Sequence, residues 1–173
     1  RLSEGERAVR AGEWRTWEPA GWLGLELSGA TLGIVGAGRI GQAVARRGEG
    51  FGMTVITSRP TPLPELLERS DVVSLHVPLT NATRHLINAD TLARMRPGAI
   101  LVNTARGGVI DETALIKCIR EGKIAGAGLD VFENEPVVQP KLLKLANDNK
   151  VVLLPHMSSA TIESRIDMGE KVI

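Results

Sequence analysis

The sequence predicts an α/β fold, a doubly wound parallel sheet with helices on both faces, from three observations. Short apolar runs recur along the 173 residues. Segments with helical spacing of their apolar residues separate these runs, and a glycine-rich turn joins the first run, residues 32–35, to the first crossover helix. Strands that alternate with helices in this way form parallel sheets, because each crossover helix returns the chain to the same end of the sheet.

Composition narrows the class of protein. The chain is 43% hydrophobic, which is enough for one core, and its formal net charge is +1. Since it shows neither a strong positive charge nor a long apolar run, we expect no nucleic-acid partner and no membrane partner. The single cysteine, Cys118, excludes an internal disulfide, so we expect a cytoplasmic protein with Cys118 in its core. No spacing of His, Cys and acidic residues indicates a metal site.

The chain begins with a predicted helix and an arm. Ser3 and Glu6 have the spacing of a capping box, and Gly12 would end the helix. The arm that follows contains all three tryptophans of the protein, Trp14, Trp17 and Trp22. Large rings on an arm need a cover, which is either the flank of the same domain or a second subunit, and the sequence favours neither.

The glycine-rich turn predicts a dinucleotide site. After the first strand, Gly36, Gly38 and Gly41 spell G-x-G-x-x-G where a helix begins. Gly36 permits the tight turn, Gly38 lets a pyrophosphate approach the backbone, and Gly41 lets the helix lie close to the strand. The free N–H groups of the helix start would face the phosphates, which adds Arg39 and Ile40 to the predicted cofactor-binding residues. Ile40 also opens the predicted apolar face of this helix.

The end of the second strand, predicted at residues 53–57, bears on the choice of cofactor. NAD-type sites carry an Asp or Glu there that binds the adenosine ribose, but this strand runs into Ser58 and Arg59 with no acid. A hydroxyl followed by an arginine suits a 2′-phosphate instead. We therefore predict NADP(H), with NAD(H) as the alternative if Arg59 is an ordinary solvated loop residue.

The rest of the chain continues the alternation. Strands are predicted at residues 72–77, 99–103, 124–129 and 151–154, and helices at residues 62–69, 88–95 and 112–121, the last capped by Asp111. We expect residues 134–150 to be irregular apart from a helical turn at its leucines. A final helix from residue 159 places Ile162, Ile166, Gly169 and Ile173 on one face. It shows no C-terminal stop signal, so we expect the natural protein to continue.

Side chains that follow the strands are the candidate catalytic groups, since ligands of open α/β sheets bind beyond the carboxyl ends of the strands. Arg106 follows the fourth strand, Asp130 the fifth and His156 the sixth, and Glu135 lies shortly after Asp130. Such a set could reduce a 2-oxo acid. Arg106 would hold the substrate carboxylate, His156 would donate a proton as hydride arrives, and Glu135 would stabilise the imidazolium. Each residue alone also has an ordinary structural explanation.

Five segments, in this order, resemble the D-isomer-specific 2-hydroxyacid dehydrogenases, and most of all their glyoxylate and hydroxypyruvate reductases. They are residues 32–46, 75–80, 103–108, 128–136 and 154–156. The resemblance implies a dinucleotide-binding domain of the Rossmann type that serves the reduction of a small 2-oxo acid, glyoxylate or hydroxypyruvate, to the D-2-hydroxy acid. It also implies a homodimer, built partly through the tryptophan arm.

The resemblance assigns roles to individual residues. It implies that Arg106, Glu135 and His156 are catalytic and that Asp130 lies near the nicotinamide carboxamide. The cofactor groove would be lined by residues that follow the third and fourth strands, namely Val77, Pro78, Thr104 and Ala105. Ser58 and Arg59 would select the 2′-phosphate.

The sequence departs from the family in three ways. The separate substrate domain of the family is absent from this chain, so we expect the chain alone to bind nucleotide but to turn over substrate poorly. A helix and a short edge strand that usually follow the second strand are missing between residues 59 and 66. Ser158 stands where the family usually has glycine, so its side chain would narrow the nicotinamide pocket.

These observations divide the chain into three parts and leave other functions open. Residues 1–29 would form the helix and arm, residues 30–157 the dinucleotide-binding domain, and residues 158–173 the start of a helix towards a substrate domain. The alternatives are a nucleotide-sensing regulatory protein on the same fold and another enzyme of the family, such as a phosphoglycerate or formate dehydrogenase.

Overall fold

One six-stranded parallel sheet organises the computed structural model, which describes residues 1–171. The strand order is β2-β1-β3-β4-β5-β6, and every neighbouring pair is parallel. The strands are β1 (Thr31–Val35), β2 (Thr54–Thr57), β3 (Val72–Leu75), β4 (Ile100–Asn103), β5 (Gly126–Leu129) and β6 (Val151–Leu153). The predicted doubly wound α/β fold is therefore confirmed. β3 ends two residues earlier than predicted, which leaves His76 and Val77 in the loop at the carboxyl edge.

Seven helices and one short 3-10 turn connect the strands within residues 1–171. The helices are α1 (Leu2–Arg10), α2 (Arg39–Gly50), α3 (Leu63–Arg69), α4 (Ala89–Leu92), α5 (Glu112–Arg120), α6 (Pro140–Asn147) and α7 (Ile162–Glu170), and the 3-10 turn is Gly107–Val109. No helix in this part of the chain is both long and apolar enough to cross a bilayer. These residues also contain no group of three His, Cys, Asp or Glu side chains that could hold a metal ion.

The sequence prediction was wrong at two helices, α1 and α6. Ser3 does not cap α1, because the helix begins one residue before it, at Leu2, with Arg1 at the N-cap position. The stretch predicted as irregular contains the complete helix α6, which begins at Pro140 and buries Leu142 and Leu145. α7 lies within the final helix predicted from residue 159 and buries no side chain among the described residues, and Ile173 lies outside them.

The two faces of β1 pack against different helices. A methyl group at Gly33 would contact Leu66 of α3, and one at Gly48 of α2 would contact Leu32, because alternate residues of a strand point to opposite faces. Glycines 41 and 48 are the buried residues of α2, whereas Ile40 is 69% exposed and does not face the core as predicted. These two glycines allow a close approach, and Val44 of the predicted apolar face still packs, partly buried, against the cluster that contains Leu32 and Ile34.

Most buried hydrophobic residues within residues 1–171 form two core clusters. The larger core cluster fills the face of the sheet that α3 to α6 cover, opposite to the face that α2 covers. Among its members are Leu66, Leu101, Leu115, Cys118 and Leu142. Cys118 is 5% exposed, which confirms its predicted place in the core. This face holds the carboxyl ends of β3, β4 and β5 in a rigid frame.

β2 is one of the two edge strands of the sheet within residues 1–171, and β6 is the other. In the usual order of a doubly wound sheet, 3-2-1-4-5-6, one further strand lies outside the second strand. Here the chain leaves β2 through five residues, 58–62, and enters α3 directly. This arrangement agrees with the expectation that a helix and an edge strand are missing after Arg59.

Candidate active site

A crevice opens where β1 and β3 lie side by side. From β1 the chain crosses to β2 on one side of the sheet, and from β3 it continues to β4 on the other side. The position between β1 and β3 is therefore the topological switch point, where open α/β sheets bind ligands. The His76 N–H donates to the Val35 carbonyl at 2.7 Å. Gly36 has φ +100°, and a Cβ there would lie 2.6 Å from the His76 carbonyl oxygen. Gly36 is therefore required by the turn itself.

The start of α2 faces this crevice without a protein partner. A Cβ on Gly41 would lie less than 3.0 Å from the Gly36 carbonyl oxygen, whereas one on Gly38 would meet nothing within 4 Å. Gly38 is the N-cap of α2, no side chain caps the helix, and its first turn carries no acid. Arg39 and Ile40 are exposed. Free N–H groups and the positive end of the helix dipole suit an anion such as a pyrophosphate.

Ser58 and Arg59 border the glycine turn. The Gly36 N–H donates to Ser58 Oγ at 3.0 Å, and the Ser58 N–H donates to the Ile34 carbonyl at 3.0 Å. Ser58 therefore helps to hold the turn and keeps its own hydroxyl hydrogen as a donor. Arg59 is exposed and forms no ion pair within residues 1–171.

The loops after β3 and β4 leave the sheet side by side, since Leu75 pairs with Asn103 at the ends of these strands. The Val77 side chain lies beside the Gly36 turn, 2.9 Å from where a Cβ would be. The other predicted groove residues, Pro78, Thr104 and Ala105, stand in the same two loops, with Pro78 and Thr104 exposed. The structure thus places all four residues in loops at the carboxyl edge of the sheet, and Val77 lies beside the glycine turn.

Asn103 shapes the loop that carries Arg106, a role that the sequence analysis did not assign. It is fully buried, its amide donates to the Arg106 carbonyl at 3.0 Å, and its Oδ1 accepts from the Ala105 N–H at 3.0 Å. The Arg106 side chain is exposed and donates to the Ala105 carbonyl at 2.6 Å. The signal in the sequence was a polar residue at the end of an apolar run.

Gly107 brings the loops after β4 and β5 together. A Cβ on Gly107 would lie less than 3.0 Å from the carbonyl of Phe132 and from the nitrogen of Glu133. Only a glycine lets the two backbones approach this closely. The contact places Arg106 near Glu135, close enough for its positive charge to act on the Glu135 carboxylate.

Glu135 and His156 form a hydrogen-bonded pair at the same edge. His156 Nδ1 and Glu135 Oε2 are 2.7 Å apart, and the Phe132 N–H donates to Glu135 Oε1 at 2.9 Å. Burial tends to raise the pKa of Glu135. The hydrogen bonds from His156 and Phe132, with the charges of His156 and Arg106, outweigh it and lower that pKa. The carboxylate therefore accepts from Nδ1, which leaves Nε2 of the half-exposed ring available.

Asp130 holds the loop that presents His156. It is 1% exposed, its Oδ1 accepts from the Met157 N–H at 2.8 Å, and its Oδ2 accepts from the Ser158 N–H at 2.8 Å and from the Ser158 hydroxyl. Burial tends to raise the pKa of Asp130, but these hydrogen bonds outweigh it, so the pKa is lowered. Asp130 is thus a carboxylate whose bonds fix the turn after His156, where His156 has φ +52°.

The comparisons with known proteins identify the family. Residues 1–158 match the family described as D-isomer specific 2-hydroxyacid dehydrogenase, NAD binding domain. The chain belongs to this family. The resemblance stated from the five sequence segments is therefore confirmed, and the sheet described above is its NAD-binding domain.

Several 2-hydroxyacid dehydrogenases of known name are similar to the chain. It is 50% identical to glyoxylate reductase from Thermococcus litoralis over 190 residues, which cover 99% of this chain and 56% of the relative. A solved glyoxylate reductase from Paecilomyes thermophila has a TM-score of 0.86 and 43% identity, covering 95% of this chain and 52% of that chain. The NADPH-dependent glyoxylate/hydroxypyruvate reductase from Sinorhizobium meliloti, solved in complex with NADP and malonate, has a TM-score of 0.88 and 39% identity, covering 99% and 56%.

The lengths of these dehydrogenases differ from that of the chain in two respects. The chain spans about 56% of the length of the curated relatives that it matches. The first alignment also spans 190 positions although the chain has 173 residues, so at least 17 positions of the relative have no counterpart here. A gap of this size fits the helix and edge strand that are missing beside β2.

Proposed function

We propose that this chain is the cofactor-binding part of a reductase of small 2-oxo acids. The reaction is the NADPH-dependent reduction of glyoxylate or hydroxypyruvate, which gives the D-isomer where the product is chiral. The observation that carries the proposal is the Glu135–His156 pair, 2.7 Å apart beside Arg106, at the edge of the sheet that also holds the glycine turn. The names of the similar glyoxylate reductases support the same reaction.

The cofactor is proposed to lie across the crevice between β1 and β3. Its pyrophosphate contacts the start of α2, through Gly36, Gly38, Arg39, Ile40 and Gly41. The residues after β3 and β4, which are Val77, Pro78, Thr104 and Ala105, line the groove towards the nicotinamide, and Asp130 and Ser158 lie at its far end. Ser58 and the unpaired Arg59 receive the 2′-phosphate, which favours NADP(H) over NAD(H).

The proposed chemistry divides among three side chains. A nicotinamide cofactor held in this crevice would supply a hydride to C2 of the oxo acid. Arg106 holds the substrate carboxylate, because a guanidinium can bind it through two parallel hydrogen bonds. His156 donates the proton on Nε2 to the carbonyl oxygen, so the carbonyl gains one hydride and one proton. Glu135 keeps its bond to Nδ1 and stabilises the imidazolium before this transfer.

The first test of the proposal is the preference between cofactors. We expect Arg59→Ala to weaken NADPH binding about 10- to 150-fold, since a hydrogen bond to a charged group contributes roughly 1.5–3 kcal/mol, and to leave NADH binding unchanged. Arg46→Ala, another exposed arginine at the surface of α2, is the matched control. Calorimetric titration with both nucleotides checks this. Tighter binding of NADH than of NADPH, with an unchanged ratio in Arg59→Ala, contradicts the proposed 2′-phosphate site.

The second test is turnover in the full-length protein, followed as glyoxylate-dependent oxidation of NADPH. We expect Arg106→Ala and His156→Ala to lose most turnover while NADPH still binds. A parent protein that binds NADPH and oxidises none of it with either oxo acid would be a nucleotide sensor or another enzyme of the family, and the proposed reaction would be wrong.

The domain division and the assembly belong to the same proposal. Residues 1–29 form the arm, residues 30–157 the cofactor domain, and the segment from residue 158 leads towards a substrate domain. Trp14, Trp17 and Trp22 remain 57%, 76% and 48% exposed around a cavity of about 630 Å³. We propose that a second copy covers them in a homodimer, and that the protein, whose one cysteine is buried, is cytoplasmic. Light scattering of Trp17→Ala, expected to be monomeric, tests the dimer.

A further inference from the structure

Glu112 contacts the loop that carries Glu135, although it belongs to no group assigned above. It is the first residue of α5, directly after the N-cap Asp111, and its side chain is 3% exposed. Its Oε1 accepts from the Glu133 N–H at 2.7 Å. Burial of this carboxylate costs desolvation free energy, and the hydrogen bond from the Glu133 N–H offsets part of that cost.

The Glu133 N–H lies between two hydrogen bonds of the loop that carries Glu135, one made by Phe132 and one by Val137. On one side, Phe132 donates its N–H to Glu135 Oε1 and packs its carbonyl against Gly107. On the other side, the Val137 N–H donates to the Asn134 carbonyl at 2.8 Å and closes the loop. Rotation of the peptide between Phe132 and Glu133 would therefore move the carboxylate that accepts from His156.

A second anchor holds the same residue by its side chain. His85 Nε2 lies 2.5 Å from Glu133 Oε1, and the His85 N–H donates to the Gly108 carbonyl at 2.9 Å. His85, which lies between β3 and α4, thus ties the loop after β5 to the loop after β4. Its ring restrains the side chain of Glu133, while Glu112 restrains the peptide.

We infer that Glu112 is a positioning residue, which fixes the Glu133 peptide and so orients the Glu135 carboxylate towards His156. The inference rests on the proposed role of Glu135 in the reaction. Glu112 touches neither substrate nor cofactor in this account and acts only through the loop. The role predicts that loss of the acceptor at residue 112 changes the surroundings of Glu135, whereas loss of stability in α5 alone does not.

The test follows the titration of Glu135 by NMR of its side-chain carboxyl carbon. In the parent protein the pKa of Glu135 is lowered, since its hydrogen bonds and the nearby positive charges outweigh its burial. We expect Glu112→Ala to raise the midpoint by about half a pH unit or more, because the bonds to the carboxylate loosen. Glu112→Gln keeps an acceptor oxygen, so its midpoint should stay close to that of the parent.

Asp111→Ala is the matched control. Asp111 accepts from the Ala114 N–H at 3.0 Å, so the variant loses the cap of the same helix and leaves the Glu112 bond in place. It should lower Tm without moving the Glu135 midpoint. A folded Glu112→Ala with the parent midpoint, or an equal shift in Asp111→Ala, overturns the inference. Neither result depends on turnover, so failure of the proposed reaction remains distinguishable.

A second readout serves if Glu112→Ala does not fold. Burial and the charge of the Glu133 carboxylate raise the pKa of Glu112 and outweigh the hydrogen bond from the Glu133 N–H, so Glu112 ionises at a higher pH than Glu135. We expect the Glu133 amide signal of the parent to move with this titration, and Glu112→Gln to abolish the movement. If the Glu133 amide signal has the same pH dependence in the parent and in Glu112→Gln, the hydrogen bond and the positioning role are contradicted.

Discussion

Gly38→Ala separates the needs of the ligand from those of the fold. Gly38 has φ −73° and ψ −169°, which alanine adopts without strain, and a Cβ there meets no protein atom within 4 Å. The free protein should therefore keep its stability. The added methyl group would instead occupy the space at the start of α2 through which the pyrophosphate reaches the backbone.

The expected loss follows from the bonds that this approach provides. A hydrogen bond from a backbone N–H to a charged phosphate contributes roughly 1.5–3 kcal/mol, so losing one weakens NADPH binding about 10- to 150-fold. Calorimetric titration with NADPH gives the Kd, and scanning calorimetry of the free protein gives Tm. The variant should combine a parent-like Tm with the weaker Kd.

Two other glycines of the same region serve as controls. A Cβ on Gly50, at the end of α2, also meets nothing within 4 Å, so Gly50→Ala should change neither property. A Cβ on Gly41 would lie less than 3.0 Å from the Gly36 carbonyl oxygen, so Gly41→Ala should lose stability by about 1–3 kcal/mol or more. Binding of NADPH by Gly38→Ala within about twofold of the parent would refute the placement of the pyrophosphate.

Two further predictions concern the loops of the site. Asp130→Asn should destabilise the protein by about 1–3 kcal/mol near pH 7, because an amide cannot accept all the bonds that the carboxylate accepts. The pKa of Asp130 is lowered on folding, so this stabilisation is present above the ordinary aspartate range and is lost as pH falls through the folded pKa. Urea unfolding at neutral pH and below about pH 3 checks it, and an equal difference at both pH values contradicts it. Gly107→Ala should unfold the protein or displace the loop at Phe132. Gly108→Ala, whose added Cβ would meet the side chains of Leu79 at 3.1 Å and Arg84 at 3.7 Å, should lower Tm by a few degrees at most. Equal Tm values for the two variants would show that the close approach of the Gly107 backbone to the Phe132 backbone is not needed for stability.

The parts of the fold that sequence reasoning predicts are those with local causes. The turn at Gly36 and the cap at Asp111 depend on the conformation or side chain of one residue, and both lie where the sequence predicts them. α6 was missed for the opposite reason. Leu142 and Leu145 are buried against the larger core cluster, a tertiary contact that outweighs the weak local signal of residues 134–150.

The contacts within the site are mostly beyond sequence reasoning. Arg106, Glu135 and His156 could be chosen because strand ends meet at one edge of a parallel sheet. The bond between Glu112 and Glu133 joins residues 21 positions apart, and the bond from His85 to Glu133 spans 48 positions. Such pairs depend on how two loops pass each other, for which the spacing of residue types gives no signal.

The most direct measurement for the proposed reaction is isotope transfer in the full-length protein. NADPH that carries deuterium at both C4 positions of the nicotinamide is incubated with glyoxylate or hydroxypyruvate, and the mass of the hydroxy acid product is measured by mass spectrometry. The account predicts a product with one deuterium on C2, formed by the parent and lost in His156→Ala although that variant still binds NADPH. Bound NADPH with no deuterium in the product from glyoxylate or hydroxypyruvate would contradict it.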